Sequence, residues 1–324
     1  MSAGDVVEEI ADGLRRTLGA SVTELSRLSG GASRETWRFV ADGRPLILQR
    51  QRAGDTRDMS VEAAVLRAAS RAAVPVPELL ASGREEGGAN FMVLSLVDGE
   101  TIARKILRDG RFAVARRKLV PQFASALAAI HSIDAAEVPG LPTTDQVAQY
   151  RQSLDDLNEQ LQQAHPTFEL AFRWLERNRP TTARRCVVHG DFRLGNVMVG
   201  DDGLRAVLDW ELSHVGDPME DLGWLCVRAW RFGSEHPVAG IGDYDTLLDE
   251  YQKASGLPAD RDALRWWEVL GTLKWGIMCM LQASAHLLGF SRSHELAAIG
   301  RRVCENEYDI LLALEGRWSS LEVR

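Results

Sequence analysis

Three polar residues at fixed spacing, Asp191, Asn196 and Asp209, constrain this chain more than any other feature. The apolar run Cys186-Val187-Val188 breaks into His189-Gly190-Asp191, and a four-residue spacer leads to Asn196. A second strand-like run, Leu204 to Leu208, follows the Asp201-Asp202-Gly203 turn and delivers Asp209. Apolar runs bounded by Gly and Asp read as short buried strands. The fold must therefore bring a polar loop and the end of a hairpin together.

That order has a chemical rationale in phosphoryl transfer. The reaction asks little covalent chemistry of a protein, but it needs an acceptor hydroxyl held in line, a carboxylate near its proton, and a divalent metal bridging the phosphates. Asp191 suits the orienting or base role. Asn196 offers a neutral oxygen and Asp209 a charged one, a hard set that fits Mg²⁺. A lone Asp or Asn in a turn is ordinarily a cap; the ordered set in its expected context carries more weight than its members. His189 is expected to fix the loop by hydrogen bonds rather than to act as an acid or base.

The stretches HGDFRLGNVMV and AVLDWELSHVGDPMEDLGW resemble the aminoglycoside phosphotransferase and choline kinase-like superfamily of small-molecule kinases. Together with the opening LSGGASRETWRF they look most like the branch that includes kinase domains associated with acyl-CoA dehydrogenases. The resemblance implies an α+β, two-lobed, protein-kinase-like fold. Residues 1–98 would form a small antiparallel-sheet N-lobe, and 99–324 a larger, mostly helical C-lobe. It also implies use of ATP and Mg²⁺, with Asp191 catalytic and Asn196 and Asp209 holding the metal.

Within the N-lobe, strands Glu35 to Val40 and Leu46 to Gln51 flank the Asp42-Gly43 turn. The Gly30-Gly31 turn before them, with Ser33, is expected to cover the nucleotide phosphates through backbone N–H groups. Related enzymes carry Lys or Arg on the following strand to grip the phosphates, whereas this chain has Gln49 with Arg50 adjacent. Strand alternation sends those two side chains to opposite faces. Either Gln49 binds phosphate as a neutral donor or Arg50 reaches in. Glu62, on the helix expected from Met59 to Ala72, falls where the family's partner carboxylate lies; a Gln at 49 would leave it without its usual pair.

By resemblance Phe91 to Val97 is the last N-lobe strand and the hinge. Backbone groups around Ser95 to Val97 would read the adenine edge and Leu94 would line its pocket. From Thr101 onward the apolar spacing is helical, in 112–132, 145–163, 168–178, 243–255, 260–288 and 292–316. His131 reads as a helix-end packing residue. After Asp209 the chain reaches Gly216-Asp217-Pro218 almost at once, leaving little room to dock an extended peptide and favouring a small-molecule hydroxyl acceptor. Asp217 reads as a helix N-cap, and Asp221 by resemblance braces the catalytic loop.

Composition excludes several classes. The chain has 324 residues, 45% hydrophobic and 26% charged, enough for a sizeable core. A net charge of −8 argues against a general nucleic-acid binder. The apolar stretch from Gly271 to Gly289 is interrupted by Lys274, Gln282 and His286, so no membrane span is expected. No signal peptide is visible, and Cys186, Cys226, Cys279 and Cys304 form no CxxC pair, which points to a cytoplasmic protein. Two alternatives stay open: a nucleotide-binding protein impaired by the missing cation at 49, and an aminoglycoside rather than a hydroxyacyl metabolite as acceptor. The oligomeric state is also open.

Overall fold

Two positive-φ residues, Asp42 (φ 46°) and Gly43 (φ 82°), close the hairpin at the centre of the N-terminal sheet. Both central positions of such a turn need the left-handed region, which suits Asp-Gly. The computed structural model describes residues 3–28, 34–52, 58–85, 88–181 and 184–318. It opens with helix α1 (Ala3–Leu18), then strands β1 (Val22–Arg27), β2 (Arg34–Ala41) and β3 (Arg44–Gln51), helix α2 (Met59–Arg71), and strands β4 (Leu79–Arg84) and β5 (Asn90–Ser95). These strands make one antiparallel sheet in the order β1-β2-β3-β5-β4.

Alternation along the strands decides what each face of this sheet does. Trp37, Phe39, Leu46, Leu48, Phe91 and Val93 pack with Ile10 and Leu14 of α1. The intervening residues Thr36, Ile47, Gln49, Met92 and Leu94 line a cleft on the other face. Asp58 caps α2 by accepting from the Ser60 N–H at 2.8 Å, which fixes the start of the helix that carries Glu62.

The remainder is mostly helical. Helices α3 (Ala103–Arg108), α4 (Ala113–His131), α5 (Gln146–Leu161) and α6 (Pro166–Arg177) precede the short strands β6 (Cys186–Val188), β7 (Val197–Gly200), β8 (Gly203–Val207) and β9 (His214–Gly216). Helices α7 (Pro218–Cys226), α8 (Tyr244–Ser255), α9 (Arg261–Leu287), α10 (His294–Ile299) and α11 (Arg302–Leu314) follow. The helical pattern over 292–316 is thus two helices, broken around Gly300. β6 pairs with β9 and β7 with β8, both antiparallel.

One core runs through this larger lobe, from Phe112, Phe123 and Leu127 to Leu264, Leu273 and Ile277. Phe123 meets Phe192 edge-on at 5.5 Å, and both are fully buried. Each such ring contributes roughly 1.5–3 kcal/mol by leaving water, and Phe192 thereby anchors the residue beside Asp191. The two lobes are stitched where they meet: Glu100 and Val199 exchange backbone hydrogen bonds at 2.9 and 3.0 Å, and Val207 N–H donates to the Pro75 carbonyl at 2.7 Å. The β7–β8 hairpin therefore sits under the sheet as the floor of the cleft. No helix among the described residues is long and apolar enough to cross a membrane.

Candidate active site

Asp221, in the first turn of α7, shapes the loop that carries Asp191. Asp217 caps this helix by accepting from Met219 N–H at 2.8 Å, and Pro218 occupies its first position. The fully buried Asp221 carboxylate then accepts from the backbone N–H groups of His189 and Gly190, each at 2.8 Å, and lies 3.1 Å from His131 Nε2. His131 in turn contacts the Tyr251 hydroxyl at 2.8 Å, so it is a buried hydrogen-bonding bridge as well as a packing residue. Gly190 has φ 78°, and a Cβ there would overlap the Leu212 carbonyl oxygen. Glycine meets both demands.

His189 is wholly engaged. Its Nε2 is 3.0 Å from the Leu208 carbonyl and its Nδ1 receives the Asp191 N–H at 3.2 Å. One ring nitrogen must donate and the other accept, which defines a neutral tautomer. Burial lowers the imidazole pKa despite the nearby Asp221 and Asp191. The ring spans the loop and the end of β8 and has no free nitrogen for proton transfer.

Asp191 is held by three donors. Trp224 Nε1 donates to its Oδ1 at 2.7 Å, Arg193 Nε to the same oxygen at 3.1 Å, and Asn196 Nδ2 to Oδ2 at 2.6 Å. Asn196 Nδ2 also donates to the Asp191 carbonyl at 3.1 Å. The amide nitrogen of Asn196 is thereby spent, and its side-chain oxygen accepts nothing from the described residues. From below, Lys274 of α9 donates to the Gly190 carbonyl at 2.9 Å. Lys274 was not singled out for the site by sequence reasoning, because α9 is distant in the chain.

Asp209 has a positive φ of 64° and, with Asn196, lines the cleft of about 440 Å³ beneath the sheet. Its carboxylate accepts no hydrogen bond from the described residues. Burial, followed by the charges of Glu211 and Asp191, raises its pKa to about 7, with Arg34 opposing. A carboxylate crowded by others, in the same cleft as an amide oxygen with no partner among the described residues, is an arrangement that a cation relieves. No group of three or more His, Cys, Asp or Glu among the described residues has metal-binding geometry. Two protein oxygens nevertheless suit Mg²⁺, which keeps waters and takes phosphate oxygens for the rest.

On the cleft's upper side the structure places Gln49, Leu94, Ser95 and Val97 along the same wall. The Ser95 N–H is engaged by the Glu78 carbonyl at 2.9 Å, and its hydroxyl accepts from Glu78 N–H at 2.9 Å. Val97, by contrast, has no partner for its N–H or carbonyl among the described residues. Gly30, Gly31 and Ser33 lie outside the described residues.

Arg50 requires a correction. It shares the α1 face of β3 with Leu46 and Leu48, and its guanidinium meets Glu85 at 2.8 Å and Glu35 at 3.5 Å. Strand alternation carries it away from the cleft. Glu62 requires another, since it has not lost a cationic partner. Arg34, at the start of β2, forms a fork with it, Nη1 to Oε1 at 2.7 Å and Nη2 to Oε2 at 2.5 Å. Arg34 Nη1 also donates to Gln49 Oε1 at 3.3 Å and Nη2 to Glu211 Oε2 at 3.2 Å. Sequence reasoning looked for this cation only on β3. The hairpin register pairs Arg34 with Gln51 and Thr36 with Gln49, which sets Arg34 and Gln49 diagonally on one face. Counting outward from the Asp42-Gly43 turn would have found it.

Comparison with known proteins places this geometry in context. The phosphotransferase enzyme family matches residues 24–267. Acyl-CoA dehydrogenase family member 10 of Mus musculus is 28% identical over 255 residues, covering 74% of this chain and 24% of that protein. The chain thus spans about a quarter of that relative's length. Aminoglycoside 3'-phosphotransferase of Niallia circulans is 26% identical, covering 60% of this chain and 71% of that enzyme. Among solved structures, a Ralstonia eutropha protein assigned as an aminoglycoside phosphotransferase superposes with a TM-score of 0.77 at 22% identity, covering 95% and 98% of the two chains. A thermostable mutant of an aminoglycoside phosphotransferase, solved with AMP-PNP and hygromycin B, gives 0.65 at 16% identity, covering 94% and 98%. These likenesses show a two-lobed, protein-kinase-like fold.

Proposed function

Because this chain belongs to the phosphotransferase enzyme family, we propose that it transfers the γ-phosphoryl group of ATP to a hydroxyl of a small molecule. The observation that carries this reading is the 2.6 Å hydrogen bond from Asn196 to Asp191, which ties the expected base to a residue that shares the cleft with Asp209. A carboxylate fixed by Trp224, Arg193 and Asn196 has one orientation toward an acceptor. The acceptor oxygen bonds to the γ-phosphorus, the bond to ADP breaks, and the hydroxyl proton passes to Asp191 or is steered by it. Asn196 and Asp209 would hold Mg²⁺, which when bound neutralises phosphate charge. Leu94 would line the adenine pocket and Val97 would read the adenine edge. Gly30, Gly31 and Ser33 would cover the phosphates.

The Arg193 guanidinium beside Asp191 favours an acceptor with a negative group over a polycationic aminoglycoside. Trp224, Trp230 and Trp275 are tilted against one another at 5.2 and 4.9 Å in a buried cluster, and the Arg193 guanidinium lies 4.8 Å over Trp230. The partly exposed Arg193 guanidinium beside Asp191 offers a cation to a negative acceptor group, whereas a polyamine needs carboxylates.

Thermal unfolding with ATP and Mg²⁺, together and separately, tests the nucleotide site, since a ligand selective for the folded state raises stability by mass action. Stabilisation by ATP that requires the metal supports the reading. No shift at saturating nucleotide would turn it toward a protein without catalysis. ATP-consumption screening of hydroxyacyl thioesters beside aminoglycosides then separates the acceptor classes.

A further inference from the structure

We propose that Arg34 is the cation that grips the nucleotide phosphates, acting from β2 in place of a basic residue at position 49, and that phosphate displaces Glu211 from it. This assignment rests on the phosphotransferase reading above and names a residue for its nucleotide site. Arg34 is only 7% exposed, yet it lines the cleft together with Gln49, Asn196 and Asp209. Glu62 aims it, because the fork uses one N–H of each terminal nitrogen and leaves the guanidinium little rotational choice. Gln49, whose carbonyl oxygen accepts from Nη1, helps to steady it.

The donor inventory supports the exchange. A guanidinium has five N–H groups. In this structure Glu62 takes two, Gln49 one and Glu211 one, while Nε donates to no described residue. The bond to Glu211 is 3.2 Å and monodentate, and Glu211 is the more exposed of the two carboxylates, 20% against 9%. It is the weaker competitor. Its release frees an N–H beside Asp209, whose charge already acts on Arg34.

Calorimetric titration of adenosine, ADP and AMP-PNP, each with Mg²⁺, against the full chain and its variants tests the assignment. Arg34→Met should bind AMP-PNP about 10- to 100-fold more weakly, the scale of a lost charge-assisted hydrogen bond, with ADP less affected and adenosine unchanged. Adding Gln49→Lys should recover most of the loss, because side chains at 34 and 49 end at one place. Glu211→Gln should bind AMP-PNP about two- to fivefold more tightly. If Arg34→Met does not fold, Arg34→Met with Glu62→Gln removes the carboxylate charge that Arg34 neutralises and is judged by the same graded loss. Undiminished AMP-PNP binding without Arg34, or a loss equal for adenosine, overturns the assignment. Weaker binding by Glu211→Gln overturns the exchange. A native chain that binds no nucleotide removes the phosphotransferase reading and this inference together, an outcome visible before any variant is made.

Discussion

Lys274 places its ammonium 2.9 Å from the carbonyl oxygen of Gly190, the residue before Asp191. The lysine is 4% exposed, lies 3.6 Å from Glu220, and sits 4.6 Å from the centre of the Trp224 ring. A buried ammonium is retained only where such partners compensate its desolvation. Lys274→Met would leave the Gly190 carbonyl without its donor and take the ammonium from beside Glu220, whose carboxylate also meets His214 at 3.0 Å. The expected cost is about 3 kcal/mol of folding stability, read from urea unfolding, with a fall in kcat in the remaining folded protein. An unchanged urea midpoint would show that the ammonium does not hold the loop.

Trp224 carries a second test, because its indole N–H is one of three donors that orient Asp191. Trp224→Phe keeps most of the ring and removes the donor. Losing one hydrogen bond to a charged group is worth about 1.5 kcal/mol, or roughly a tenfold lower kcat. KM for the nucleotide should stay unchanged, since Trp224 is not part of the cleft lining. A shift in nucleotide KM with intact kcat would assign the indole a different task.

The separation of base and metal roles can be read from two variants. Asp191→Asn should lower turnover by about 10²–10⁴-fold while nucleotide binding persists, because Asp191 does not line the cleft beneath the sheet. Asp209→Ala should instead weaken Mg²⁺-dependent nucleotide binding itself. Titration of Mg-AMP-PNP distinguishes them: if both variants bind equally well, Asp209 does not hold the metal.

Much of this fold is legible in short-range pattern. The Asp42-Gly43 hairpin, the Asp217-Pro218 helix start and the apolar spacing of α4 and α9 each arise within a few residues, where turn chemistry and periodicity act directly. What escaped is long-range pairing. Arg34 meets Glu62 and Glu211, and Lys274 reaches Gly190 across the lobe; no local propensity encodes such contacts. Position 49 was read from one strand alone, although the antiparallel register brings a neighbour's side chain to the same spot. His131 likewise looked like packing because its partners, Asp221 and Tyr251, are far away in sequence.

Acid unfolding should expose the brace beneath the loop that carries Asp191. Burial alone would raise the Asp221 pKa, but the hydrogen bond and charge of His131, with the His189 N–H, outweigh burial and hold it at about 2, against the ordinary 3.8. Between those values the unfolded chain binds more protons than the folded one, so stability rises with pH through that window. The contribution, about 2 kcal/mol, is complete above about pH 4 and is lost as pH falls toward 2. Asp221→Asn cannot titrate and accepts fewer hydrogen bonds, so it should be less stable at pH 7 and show a shallower loss of stability on acidification. Urea midpoints measured from pH 7 down to pH 2.5 give the comparison. Parallel pH profiles for the two proteins would mean that Asp221 is not held ionised by the fold, and that the N–H groups of His189 and Gly190 depend on other acceptors.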